Sequence, residues 1–360
     1  MGRPTSDLAG LWEWFAQTQC RGYSPLYERI ALEVAGDRDV LGLLDEAPPA
    51  SHMPPALLAA VHYLLLDGLN HPLAAVYEGG SDADPGPLFR DVCLTRREDV
   101  LSILATRRIQ TNECGRSAII GPGLTWLARE LDGPLTLVDV GSSAGLNLLC
   151  DSYRLDYDER GVTGPADSPV TVECRVTGGD PPIAERLPPL AGRIGIDRSP
   201  IDLTDPGDAR WLLACVWPDT GRHHRTSAAI ELARRDPPAV LLGSANEVLP
   251  ALLGELPSGS AAVVLTTWVF GYFSLEERRQ FVEILNEGSQ RRRIGWLFAE
   301  GAGVVEGFSP DGASSAGDGQ APEPDVFGAT LFDRGVSRPV LLGYAHPHGR
   351  WIDWRAGPQP

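Results

Sequence analysis

The sequence predicts an α/β fold: a Rossmann-like doubly wound sheet with an antiparallel closing hairpin, plus an N-terminal helical cap. Three observations predict it. Residues 135–140 form a continuous apolar run rich in β-branched side chains, the pattern of a strand buried on both faces of a parallel sheet. A glycine-bounded loop, Gly141-Ser142-Ser143-Ala144-Gly145, follows at once, and a helical pattern with Leu146, Leu149 and Cys150 on one face comes next. From there to the C-terminus strand-like and helix-like segments alternate, whereas no strand-like segment precedes residue 135.

The elements follow in order. Residues 1–131 read as a helical cap: Leu8, Leu11, Trp12 and Phe15 lie at helical spacing, as do Leu57, Leu58, Val61, Leu64 and Leu65, with proline pairs as punctuation. An amphipathic stretch after Thr111-Asn112-Glu113 ends at Leu131, and Gly133-Pro134 stops it. Residues 132–360 form the Rossmann-like domain. Within it, 151–192 is an insertion carrying one strand near 170–176. A short apolar strand ends in Asp197, and Asp205-Pro206 opens a helix to about 216. A second helix spans 223–235, and 239–245 reads as a buried strand followed by a short helix. Residues 261–268 and 294–300 are further strands, with a capping box at Ser274–Glu277 opening the helix between them. Residues 306–325, rich in Gly, Ser, Pro and acids, read as a mobile loop. Strands near 326–333 and 338–346 close on a hairpin at Arg334-Gly335.

Composition narrows the function. The net charge is −17, with arginine as the sole basic residue type besides histidine, which argues against nucleic acid or anionic membrane as a partner. A small-molecule substrate is the expectation that remains. The six cysteines at 20, 93, 114, 150, 174 and 215 form no C-x-x-C pair, so no metal site is expected, and reduced buried thiols point to a cytoplasmic location.

The glycine loop admits three ligand chemistries. Asp139-x-Gly141-x-x-x-Gly145-x-Asn147 resembles the first motif of the Rossmann-like S-adenosylmethionine-dependent methyltransferases. The G-x-G-x-x-G pyrophosphate fingerprint of dinucleotide enzymes is absent. Gly141-x-Ser143-x-Gly145 also matches a hydrolase nucleophile elbow, with His346 or His348 as base and Asp219 as orienter. That fold places several strands before the elbow, and none is read here. A glycine turn that only packs helix on strand, in a non-catalytic ligand-binding protein, is the plain alternative.

The whole chain resembles an uncharacterised family of GC-rich bacteria described as methyltransferase-like. The segments that carry this are Thr111-Asn112-Glu113 with Arg116, residues 138–147, Asp151-x-Tyr153, Gly195-Ile196-Asp197, residues 216–219 with Arg222, and Trp296 to Glu300. The methyltransferase resemblance implies S-adenosylmethionine as cofactor. It implies contacts from Asp139, Gly141, Ser142, Ser143, Gly145 and Asn147 at the loop, a ribose contact from Asp197, and adenine-side contacts from Ser244, Ala245 and Thr267. Asn112, Arg116, Tyr153 and Trp268 are candidate substrate contacts. Glu113 and Glu300 are candidate proton acceptors, Glu300 because it closes a strand at the carboxyl edge of the sheet, where ligands bind in this architecture. Glu113 and Arg116 could instead form an exposed ion pair one helical turn apart, and Trp268 could instead be core.

Overall fold

The computed structural model describes residues 8–308 and 324–357. In chain order the helices are α1 (Leu8–Phe15), α2 (Pro25–Gly36), α3 (Arg38–Glu46), α4 (Pro54–Leu66), α5 (Pro72–Tyr77), α6 (Pro85–Thr95), α7 (Arg97–Thr106), α8 (Ser117–Glu130), α9 (Pro206–Ala214), α10 (Arg222–Arg235), α11 (Ala245–Glu255) and α12 (Leu275–Gly288). The strands are β1 (Leu135–Val140), β2 (Arg154–Asp156), β3 (Val162–Thr163), β4 (Thr171–Glu173), β5 (Arg175–Gly178), β6 (Leu190–Asp197), β7 (Val240–Leu242), β8 (Ala261–Thr267), β9 (Ile294–Glu300), β10 (Asp325–Asp333), β11 (Val336–Ala345) and β12 (Trp351–Trp354).

The chain divides into two compact units. One holds the residues up to Thr111 together with Thr204–Ser227; the other holds Asn112–Leu203 and Ala228 onward. The division therefore falls at Thr111, ahead of the expected 131, and α9 joins the helices of the first unit. The reason lies in α8. Nearly every residue of Ser117–Leu127 is buried, so α8 has no polar face to turn outward. Its Gly123 lies so close to β9 and β10 that a Cβ there would stand 2.7 Å from Leu297 and 3.0 Å from Phe327. Gly121 and Gly123 each cost about 1 kcal/mol of helix propensity, offset by that close approach.

The helical unit is built on capped, amphipathic segments. Ser24, Asp37, Asp84 and Asp205 each accept a backbone N–H from the first turn of the following helix. The core gathers Trp12, Ile30, Leu57, Val61, Phe89 and Val92, and Trp217 packs against Phe15, Tyr23 and Tyr27.

In the second unit the main sheet runs β5-β12-β11-β10-β9-β8-β1-β6-β7 among the described residues. The stretch β7-β6-β1-β8-β9 is parallel, and order reverses at β1, the switch point of a doubly wound sheet. β9, β10 and β11 are antiparallel neighbours, with the predicted turn at Arg334-Gly335. β1, β8 and β9 are buried at every residue, as expected of strands covered on both faces.

Four local expectations need correction. The turn after Gly145 is a 3-10 helix over Leu146–Ser152, kinked at Leu149, and not an α-helix. The strand expected at 239–245 is three residues long and lies at the sheet edge, with Leu242 73% exposed. The insertion holds β2, β3 and β4 as a separate small sheet, and its strand near 170–176 breaks at Cys174 so that β5 can pair with β12. β12 has no counterpart in the sequence reading, because Pro347 and Gly349 hide the short Trp-rich strand behind a turn. Of the expected loop at 306–325, residues 309–323 lie outside the described residues. No described helix is long and apolar enough to cross a membrane.

Candidate functional site

The carboxyl edge of the parallel strands collects the polar side chains that the rest of the sheet excludes. β1 delivers Asp139 and the glycine loop, β6 delivers Asp197, β8 delivers Thr267 and Trp268, and β9 delivers Glu300. An antiparallel strand that follows β9 must start where β9 ends, so β10 begins at this same edge with Asp325. β11 returns to it and is followed by His346-Pro347-His348.

The loop is shaped by close packing of its own chain. Gly141 and Gly145 both have left-handed φ, at 72° and 75°. A Cβ on Gly141 would meet Val269 Cγ2 at 2.5 Å, and one on Gly145 would meet Pro238 at 2.9 Å. Gly195 is glycine because the Ser142 hydroxyl occupies the space of a Cβ. Ser143 takes φ 54°, a conformation costly for a residue with a Cβ. Its N–H donates to Asp197 Oδ2 at 2.8 Å, while Ser199 N–H donates to Asp197 Oδ1 at 2.7 Å. Asn112 accepts from Leu146 N–H at 2.9 Å, and the Tyr153 hydroxyl donates to Leu146 C=O at 2.7 Å. These two residues thus hold the two peptide groups that flank Leu146 at the start of the turn.

Several buried polar atoms at this edge have no hydrogen-bond partner among the described residues: Asp139 Oδ2, Ser142 Oγ, Ser143 Oγ, Asn147 Oδ1 and Asp325 Oδ1. The Ser143 hydroxyl therefore has no histidine as base. Asp219, the expected orienter of a hydrolase triad, accepts from Ser24 Oγ at 2.6 Å and Leu26 N–H at 2.9 Å, at the start of α2.

Beside the loop lies a charged cluster around Arg116. Glu113 and Arg116 are both buried and do not form the exposed pair that their spacing allows. Glu113 accepts the Gly115 N–H at 2.8 Å and stands 3.8 Å from His348 Nδ1. Arg116 donates from Nη1 to Thr267 C=O at 3.0 Å and from Nε to Pro347 C=O at 3.1 Å. Its guanidinium thereby lies at the end of β8, next to the switch point. Glu300 accepts from the N–H groups of Phe270 and Val269 at 3.0 and 3.2 Å. Trp268 is not core: it is 43% exposed, has φ 58°, and donates its indole N–H to Asp325 Oδ2 at 2.5 Å. The Arg116 guanidinium carbon stands 6.0 Å from the centre of that ring.

Burial governs the acids. It pushes Asp139 up to about 8, with Arg116 opposing and Asp197 adding to the rise. Glu300 is pushed up to about 7 by burial against the lowering effect of its two backbone donors, with Asp325 raising it further and Arg116 lowering it. Asp325 is likewise pushed up to about 7 by burial, opposed by the Trp268 bond and by Arg116. Asp325 escaped the sequence reading because it looks like the last acid of an acidic loop. The signal that finds it is topological: the first residue of an antiparallel strand after β9 has to stand beside Glu300.

A cleft of about 570 Å³ opens next to Asp197, lined by Arg198, Gly243, Ser244, Asn246 and Glu277 among others. Ser244 is the N-cap of α11, in a capping box with Glu247, and Ala245 is buried. No group of described His, Cys, Asp and Glu side chains has the geometry to hold a metal ion.

Over residues 10–354 the chain matches a bacterial family described as "Uncharacterized protein conserved in bacteria (DUF2332)", and it belongs to that family. No curated protein matches it.

Proposed function

We propose that this family member binds a nucleoside-bearing cofactor, S-adenosylmethionine, along the carboxyl edge of β1, β6 and β7, and transfers its methyl group to a small molecule. The observation that carries the reading is an alignment. The glycine loop, the acid closing β6 and the end of β7 follow one another along this edge, and Arg198, Gly243 and Ser244 line a cleft on the β7 side of it. Each oxygen of Asp197 receives one backbone bond, which leaves lone pairs for a ribose diol. The unpartnered oxygens of Asp139, Ser142, Ser143 and Asn147 supply further polar contacts around the loop. Val269 covers Gly141 and has to withdraw for a ligand to lie against that glycine.

The bound group would supply an electrophilic methyl on a sulfonium. The chain's part is to orient the acceptor, exclude water and take up the acceptor's proton. Of Glu113 and Glu300, the latter suits proton uptake better: burial places it near neutrality, whereas Glu113 caps a turn. Calorimetry with S-adenosylmethionine and S-adenosylhomocysteine tests the reading. Saturable binding is expected, at least about tenfold weaker in Asp197→Ala, the loss of roughly 1.4 kcal/mol. No binding at millimolar ligand would overturn it.

The packing of Val269 and Pro238 onto the loop glycines favours a second reading, a non-catalytic protein that uses the same cleft. Cofactor binding without turnover over a panel of metabolites selects it.

A further inference from the structure

We propose that Trp268, Asp325, Glu300 and Arg116 form a recognition site for the ammonium group of an organic amine. The site shares Asp139 and Glu300 with the proposed methyl-transfer reading, but recognition of the ammonium group does not depend on that reading. Three carboxyls, Asp139, Glu300 and Asp325, share the surroundings of one guanidinium, so the cluster carries an excess of acid. Asp325 is 1% exposed, and its Oδ1 has no partner while Oδ2 receives the Trp268 indole. Asp139, 2% exposed, leaves Oδ2 equally unpartnered. Burial pushes all three carboxyls toward the neutral acid, and an incoming N–H with positive charge supplies the missing bond and favours their ionised forms.

The way in is through Trp268. Its ring is the half-exposed member of an otherwise buried group, and Tyr272, 83% exposed, stands four residues on. An ammonium group placed under the Trp268 ring gains from its face as well as from the acids. An anionic ligand would meet three carboxyls, and a neutral alcohol would leave their excess uncompensated. The site therefore discriminates by charge, in favour of cations that carry N–H donors.

Calorimetry on the full chain at pH 7 tests this with benzylammonium, benzyl alcohol and benzoate, in two buffers of different ionisation enthalpy. Saturable benzylammonium binding is expected at millimolar concentration, with the alcohol and benzoate at least about tenfold weaker. Protons should be released on binding, because a cation favours the ionised forms of Asp325 and Glu300. Asp325→Asn keeps an acceptor for the Trp268 indole and should lose about tenfold in affinity together with part of the proton release. Trp268→Ala, at a half-exposed position, should weaken the amine without abolishing proton release. Benzoate or the alcohol binding as well as benzylammonium, no saturable amine binding, or proton uptake would each overturn the proposal. A chain that binds S-adenosylmethionine but not the amine refutes this inference alone; one that binds the amine but not the nucleoside refutes the cofactor reading alone.

Discussion

The glycine loop and the Arg116 cluster stand at the same edge of one sheet and are opposite in character. The loop is conspicuous in sequence, yet its glycines are filled from within by Val269 and Pro238, and Asn112 and Tyr153 are bonded to the backbone of Leu146. The cluster is scattered over residues 116, 139, 268, 300 and 325 and forms no motif, yet it holds three acids that burial pushes toward neutrality. A glycine motif reports where the backbone must turn or approach closely. Capacity for chemistry shows instead where polar groups are buried without full satisfaction.

Removing the cation is the strongest way to break this contrast. Arg116→Met deprives Thr267 and Pro347 of donors and leaves the acids without their guanidinium. The expected loss is about 3–5 kcal/mol at pH 8, read from urea unfolding. At pH 5 the three acids are protonated in the folded state, and the loss should shrink. An equal loss at both pH values would show that the cluster's charge does not matter to the fold.

On the loop side, Gly141→Ala tests whether packing rather than ligand access requires glycine. The left-handed φ costs an L-residue about 1–2 kcal/mol, and the overlap with Val269 adds overpacking of about 1–3 kcal/mol. A combined loss of roughly 2–5 kcal/mol is expected. Val269→Ala in the same chain should restore the overpacking part but not the backbone part.

A smaller effect isolates one acid. Because burial lifts Asp325 to about 7 in the folded chain, the native state keeps a proton that the unfolded chain has released above about pH 4. Stability from this group therefore falls as pH climbs from about 4 to 7 and stays low above it. Asp325→Asn removes that penalty. The variant should match the parent near pH 4 and exceed it by up to about 4 kcal/mol at pH 8. A variant less stable than the parent at pH 8 would show that the ionised carboxylate is well compensated after all.

What the sequence made legible follows from range. The central parallel strands β1, β8 and β9, the caps at Asp205 and Ser274 and the hairpin at Arg334-Gly335 are local patterns, and each is where the sequence placed it. The α/β architecture followed from their alternation. Less legible were features set by distant neighbours. For Glu113 and Arg116, the expected site role and its alternative, an exposed pair, could not be told apart in sequence, because nothing local shows that Pro347 and Thr267 come to meet the guanidinium. The apolar letters of β7 read as a buried strand, but burial of an edge strand depends on what covers the sheet there, and Leu242 is left exposed. The 3-10 turn after Gly145 has helical spacing in its apolar residues; its departure from the α-helix is imposed by bonds from Asn112 and Tyr153, which lie outside it.

Ser244 carries the smallest and most discriminating difference. Sequence resemblance gives it to the adenine side of a cofactor, while the structure gives it a second task as N-cap of α11. Ser244→Ala removes the cap and should cost about 1 kcal/mol. Ser244→Asn keeps a donor for the Glu247 carboxylate that the Ser244 hydroxyl bonds, so its stability should stay near that of the parent, but it places a larger side chain at the cleft lined by Gly243 and Arg198. If the cleft takes a nucleoside base, both variants weaken nucleoside binding, and only Ser244→Ala loses stability. If Ser244 serves the helix alone, Ser244→Asn binds as the parent does. Unfolding midpoints and ligand affinities measured on the same two proteins separate a residue that shapes the cleft from one that only starts a helix beside it.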